Sequence, residues 1–269
     1  MRRYLITNKL RKTVINNPES MREISRILGF EVKNVVHKNF SIREDHMAKL
    51  SAFFNNEFVL KEIHLDYGKN LGKNAFTQPI KKVNRNGNLS ELIGIMLGDG
   101  NLFKNQIKIS FDRRHNNYIS YVRDLFKAVF GIDLRLKLTK NTNQANLYCY
   151  NKFVAQRLID YGLKRGNKIK NQIGIPEWIK LNKRYSKRCI RGLIDTDGCI
   201  YICKREGQTY IKFTNFNEQL LDDFKKLTIK LDYSFAKANK RNWCLYRKKE
   251  VVRFINEIRP LKIIYGIMG

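Results

Sequence analysis

Two short stretches of this chain align without a gap, Leu92-Ile-Gly-Ile-Met-Leu-Gly-Asp-Gly100 and Ile190-Arg-Gly-Leu-Ile-Asp-Thr-Asp-Gly198. A duplication constrains the fold more than any single motif, because each copy must be a supersecondary unit that buries its apolar face against its neighbour. The surroundings are duplicated too. An alternating strand, Ile107 to Ser110, follows the first copy, and Ile211 to Thr214 follows the second. Each leads to an amphipathic helix, around Phe126 or around Phe224. Tyr150 then precedes Arg157 by the same interval that separates Tyr246 from Arg253. The repeat is therefore one of whole units.

Each motif reads as an apolar helix, capped by Ser90 with Glu91 in the first turn, and by Ser186 in the second copy. Small residues recur one turn apart, Gly94 and Gly98 in one helix, Gly192 and Thr196 in the other. They remove side-chain bulk along one stripe, so the two helices are expected to meet almost backbone to backbone with their ends together. At that shared end stand Asp99 and Asp197, each followed by a glycine suited to ending the helix in a left-handed turn. A carboxylate at a helix C-terminus faces the negative end of the macrodipole, and two together repel each other. Something positive must offset this. Hard oxygen ligands suit Mg²⁺, which keeps several waters and needs few protein donors. Two or three such ions could activate water and stabilise the attacking and leaving oxygens of a phosphodiester. An Asp-Gly pair alone is only a turn signal; its duplication is what gives it weight. The sixth motif position differs between copies, Leu97 against Asp195, whereas the eighth matches, so Asp99 and Asp197 are the catalytic candidates and Asp195 a structural partner.

The pair LIGIMLGDG and IRGLIDTDG resembles the signature of the LAGLIDADG homing endonucleases. Gly162-Leu-Lys-Arg-Gly-Asn-Lys168 and Ile175-Pro-Glu-Trp-Ile179, ahead of the second motif, also look like that family. The resemblance implies an α+β fold of two pseudo-symmetric αββαββα repeats, with the motif helices at the centre and the strands forming a saddle over DNA. It implies that Asp99 and Asp197 bind Mg²⁺, for which Mn²⁺ can substitute, and Gly98 and Thr196 just before them are further candidate ligands. It implies cleavage of both strands of a long, asymmetric duplex by a monomer, leaving staggered ends. A basic residue near the centre often assists in such proteins. Lys108 and Lys212, at equivalent strand positions, are the candidates, although Phe216 or Asp112 stands where some relatives place that residue. Two other readings keep the fold: a transcription regulator with a LAGLIDADG scaffold and little or no catalysis, or a maturase gripping intron RNA. A gene inside an intron or intein would favour homing or maturation.

Composition agrees with a nucleic-acid partner. Lys and Arg number 53 against 24 Asp and Glu, a net charge of +29, which would strain a compact state unless a polyanion neutralised it; a Lys-rich composition inherited from an A/T-rich genome would give the same excess. With no apolar run of membrane-spanning length and a polar opening, the chain reads as soluble and intracellular, in cytoplasm or nucleoid, without a membrane partner. Its five cysteines form no CxxC pair, so reduced and mostly buried thiols are expected.

In front of the repeats, residues 1–65 read as a small all-α domain. Met21 to Leu28 has helical spacing, Gly29 interrupts it, and Val32, Val35 and Val36 resume it. This resembles a helix-turn-helix whose second helix would offer Lys33, Asn34, His37 and Lys38 to a major groove, although a plain helical hairpin has the same pattern. Residues 66–88, rich in Gly, Asn and Lys, read as a linker, 89–185 as the first repeat and 186–269 as the second. On the saddle, alternation in Leu134 to Leu138 and Tyr210 to Phe213 leaves a basic outer face. Lys104, Arg135, Lys137, Lys204, Arg205, Lys237, Lys240 and Arg241, together with Lys108 and Lys212, are the expected DNA contacts. Arg113 and Arg114, within Asp112-Arg-Arg-His115, form another possible phosphate cluster.

Overall fold

The computed structural model describes residues 3–5, 12, 18–29, 31–32, 42–53, 61–63, 80–203 and 208–261. They divide into two compact units, residues 1–82 and 83–269.

The first unit contains β1 (Arg3–Leu5), α1 (Pro18–Leu28), β2 (Ile42–Arg43), α2 (Glu44–Phe53) and β3 (Lys61–Ile63). The strands make one antiparallel sheet in the order β2-β1-β3. This corrects the all-α expectation: strands of two or three residues are too short to show alternation in sequence, and they exist only through pairing across long intervals. Helix α1 ends at Gly29, whose φ of 72° is the left-handed conformation glycine adopts without strain. Ser25 fastens this turn, its hydroxyl donating to Met21 O at 2.8 Å and accepting from Val32 N at 3.0 Å. The groove-reading candidates Lys33, Asn34, His37 and Lys38 lie outside the described residues, as does 66–79 of the expected linker.

The second unit is duplicated. Its first half runs α3 (Gly87–Gly98), β4 (Gly100–Phe103), β5 (Gln106–Asp112), α4 (Asn116–Phe130), β6 (Arg135–Leu138), β7 (Gln144–Tyr150) and α5 (Lys152–Asp160). After the short α6 (Glu177–Lys180) the order returns as α7 (Lys183–Asp197), β8 (Gly198–Cys203), β9 (Gln208–Thr214), α8 (Glu218–Lys230), β10 (Ala236–Asn239), β11 (Asn242–Leu245) and α9 (Lys248–Ile258). Each half is αββαββα, and the antiparallel sheets have the same topology, β4-β5-β7-β6 and β8-β9-β11-β10. Helix α3 begins within the expected linker, and α7 begins ahead of residue 186. The equivalence extends to register: Gly100 pairs with Ile109 as Gly198 pairs with Phe213.

One face of each sheet is covered. Ile107, Ile109 and Phe111 alternate inward along β5, and Ile211 and Phe213 do so in β9. They pack against helices whose apolar stripes supply Phe126 and Phe130 or Phe224 and Leu227. Each such side chain, fully buried, contributes on the order of 1.5–3 kcal/mol. Helix α3 is buried nearly all round, from Leu89 to Leu97, as befits an element enclosed at the centre of a domain. Among the described residues, Cys149, Cys189, Cys199 and Cys244 are free thiols, and burial pushes Cys149 up to about 12, so it stays protonated and unreactive. Among the described residues no helix is long and apolar enough to cross a membrane.

Candidate metal and nucleic-acid site

The site is set by how closely α3 and α7 approach. A Cβ added to Gly94 would lie under 3.0 Å from the carbonyl oxygen of Cys189, and one on Gly192 equally close to that of Glu91. At the next turn a Cβ on Gly98 would overlap the Thr196 side chain and reach to 3.3 Å from Asp197 Oδ2. The Thr196 hydroxyl is turned back on its own helix, donating to Gly192 O at 2.9 Å. The stripe Gly94, Gly98, Gly192 and Thr196 is thus the contact line, and it brings the ends of both helices together.

The caps differ from expectation. Asn86 and Asn182 are the N-caps, their side chains accepting from Leu89 N and Tyr185 N. Ser90 and Ser186 lie one turn inside and are fully buried, their hydroxyls donating to Tyr185 O at 2.6 Å and Ile179 O at 2.9 Å. The apolar run hid the true start, because the first turn of each helix is polar. The C-terminal glycines also act otherwise than expected. Neither Gly100 nor Gly198 has positive φ; each opens a strand. Each is required sterically, since a Cβ would strike the backbone of Met96 or of Ile194.

Asp99 caps α3 and Asp197 ends α7, both half-buried. Asn215 donates to Asp197 Oδ2 at 2.6 Å and so fixes that carboxylate. Register places Phe111 opposite Asn215 in the other half, where it is buried against Tyr118 with ring centroids 5.7 Å apart, so the two halves are chemically unequal at this point. Asp195 is buried at 4% exposure.

The cation that sequence reasoning missed is Lys168. Its ammonium donates to the carbonyl oxygens of Gly98 and, at 3.3 Å, Met96. Burial holds its pKa below the usual lysine value, while the charges of Asp197 and Asp99 oppose that fall. It therefore answers the electrostatic demand of two carboxylates at two helix C-termini. The loop that delivers it is well fastened. Asn167 Oδ1 accepts from Ile169 N at 2.9 Å and Lys170 N at 3.0 Å, and Asn217 donates to Ile173 O at 2.7 Å and Lys168 O at 3.4 Å. Buried Asp223 accepts from Ile175 N at 2.7 Å and Lys180 Nζ at 2.8 Å. Lys168 opens into a cleft of about 340 Å³ whose walls include Gly98, Asp197, Asn215 and Phe216.

Lys108 and Lys212 are equivalent, paired with Asn101 and with Cys199 on the open faces of their sheets, and neither lines this cleft. Phe216 does, with Arg241 stacked 4.1 Å from its ring centroid. Its counterpart Asp112 is ion-paired to Arg114, which holds the Asp112 carboxyl well below the usual range. Arg113 is tied through its backbone to Asn143 O at 2.7 Å. Arg135 and Lys137 are exposed on β6, and Lys104, Lys237, Lys240 and Arg241 lie at exposed hairpins or edge strands. Lys204 and Arg205 fall outside the described residues.

Among the described residues no group of three or more His, Cys, Asp or Glu comes together. A cation here would draw on Asp99, Asp197, backbone oxygens and water, a hard donor set that fits Mg²⁺. The Gly98 carbonyl is already engaged by Lys168, so of the two residues expected to assist, Thr196 is the one whose carbonyl this lysine leaves alone.

Residues 185–259, which span α7 to α9, match the model of the LAGLIDADG-like domain. The match covers the second repeat of the unit. The other half repeats its topology and register. Over 201 residues, 70% of this chain, the sequence is 27% identical to a replication factor C small subunit of Methanocaldococcus jannaschii, and the chain spans about 10% of that protein's length. Solved structures that resemble it include mesophilic variants of the homing endonuclease I-DmoI, at TM-score 0.43 and 15% identity over 64% of this chain and 94% of that one. I-DmoI in complex with DNA and Ca matches at 0.42 and 15%, over 64% and 88%. Full-length DUF199/WhiA from Thermatoga maritima matches at 0.47 and 13%, over 69% and 61%.

Proposed function

We propose that the chain is a metal-dependent endonuclease that binds a long, asymmetric DNA duplex as a monomer and hydrolyses both strands. The observation that carries this reading is the convergence of Asp99, Asp197 and Lys168 at the joined ends of α3 and α7. Asp99 and Asp197 would hold Mg²⁺ or Mn²⁺, which when bound supplies an activated water and neutralises charge on the scissile phosphate. Lys168 places a second positive charge at the same point, where phosphate charge must be stabilised as the bond breaks. Asn215 keeps the Asp197 carboxylate in one orientation. The open sheet faces, with Lys108, Lys212, Arg135 and Lys137, would grip the backbone on either side, one half of the unit per half-site.

The test is incubation of the full chain with a randomised duplex library and Mg²⁺, followed by sequencing of cut ends. The expected result is a single family of sites with staggered ends. Binding without any metal-dependent cutting would leave a scaffold without chemistry and refute the enzyme.

A further inference from the structure

The open faces carry more than basic residues. In the second sheet Tyr201 is paired with Tyr210, their rings stacked at 5.2 Å and 24°, and Tyr246, just past β11, continues the row at 5.8 Å from Tyr210. Tyr201 and Tyr246 are 44% and 52% exposed. The first sheet has a row at the same place. Phe103 pairs with Gln106, and Gln106 with Tyr150; Phe103 and Tyr150 are 56% and 68% exposed. Both rows cross the sheet at the same step from the motif helices, since Phe103 follows Gly100 by the interval at which Tyr201 follows Gly198. That places each row about 10 Å along its strand from the helix end.

The rows match in position and differ in chemistry at their centre. Tyr210 completes an unbroken aromatic patch. Gln106 instead sets an amide between two rings, its Nε2 donating to the Tyr150 hydroxyl at 2.5 Å. The neighbouring row on each side of the unit centres on a lysine, Lys108 or Lys212, so both patches lie beside charge suited to a phosphate backbone. A major groove offers one apolar group to an aromatic patch, the thymine methyl, and one edge that matches a side-chain amide, adenine N6 and N7.

We propose that these rows read mirror-related base pairs of the duplex by different means: Tyr201, Tyr210 and Tyr246 close over a thymine methyl in one half-site, and Gln106, flanked by Phe103 and Tyr150, recognises adenine in the other. The inference rests on the DNA-binding reading above and adds to it where and how the two half-sites differ. Five of the six positions lie on the open sheet faces and Tyr246 just past one, none within the buried core, so substituting them spares it.

The experiment is affinity selection from a randomised duplex library by the full chain without Mg²⁺, so that cleavage plays no part, for wild type, Tyr210→Gln and Gln106→Ala, with thermal melts to confirm folding. Tyr210→Gln should exchange a thymine for an adenine preference at one position of one half-site. Gln106→Ala should weaken adenine preference about tenfold at the mirror position. Replacing the selected thymine with deoxyuridine should weaken wild-type binding about fourfold, the worth of one buried methyl, and leave Tyr210→Gln unmoved. Folded variants with wild-type profiles, or a free protein that dimerises through these patches, overturn the inference and leave the nuclease reading standing. A wild type that selects no duplex overturns both.

Discussion

Glu91 is fully buried where α3, α4 and α7 meet, with Arg188 Nη2 at 2.7 Å from one carboxylate oxygen. Arg191 lies 3.6 Å from the other oxygen, to which the Tyr121 hydroxyl donates at 2.7 Å. Removing one partner of a buried ionic cluster leaves the rest uncompensated, so Glu91→Ala should cost about 3–5 kcal/mol in chemical denaturation. Burial pushes the Glu91 carboxyl above its usual value against the pull of Arg191 and Arg188. A carboxyl raised on folding binds its proton more tightly in the native state, so the proton-linked part of its contribution is full below the unfolded value of 4.5 and is lost as pH rises through the folded one. Glu91→Gln should flatten the stability profile across that window, and an unchanged slope would refute the assignment. On the proposed endonuclease reading, Lys168→Ala should lower the cutting rate by about 10²-fold or more while duplex affinity changes little. That Asp99 and Asp197 end equivalent helices was legible because duplication matched them letter for letter. Lys168 was not, although its segment stood out in the sequence, because its place beside them depends on closure by Asn217 and Asp223, which no local pattern records.

The motif helices work as elements because glycine lets their backbones touch. Gly94→Val would drive methyl groups into the Cys189 carbonyl, so a loss of about 1–3 kcal/mol is expected, together with loss of cutting as the carboxylates part; a variant as stable and active as wild type would mean the helices can separate freely. Helices of this length and strands with clear alternation, such as β5, were readable from periodicity. The caps were not, since Asn86 and Asn182 precede the apolar pattern, and the first unit's sheet was not, since strands as short as Ile42–Arg43 have no period to detect. The equivalence of Lys108 with Lys212 was visible in sequence. Their outward face was legible as well, from alternation; that neither lines the cleft, whose lysine comes from a loop, emerged only from the fold.

For the molecule as a whole, a charge of +29 makes association with DNA strongly dependent on salt. If about 10 phosphates are neutralised, log affinity should fall with log salt at a slope near −9, and a slope near zero would deny the backbone contacts. The proposed function sets a further condition, that one chain supplies both of the carboxylates needed for cutting. The most direct measurement is single-turnover cleavage of a selected duplex, both strands followed separately, by wild type, Asp99→Asn and Asp197→Asn, with affinity measured in parallel. The account predicts that each substitution abolishes double-strand cutting while leaving affinity within a few-fold of wild type. Unimpaired cutting of both strands by either variant would contradict it.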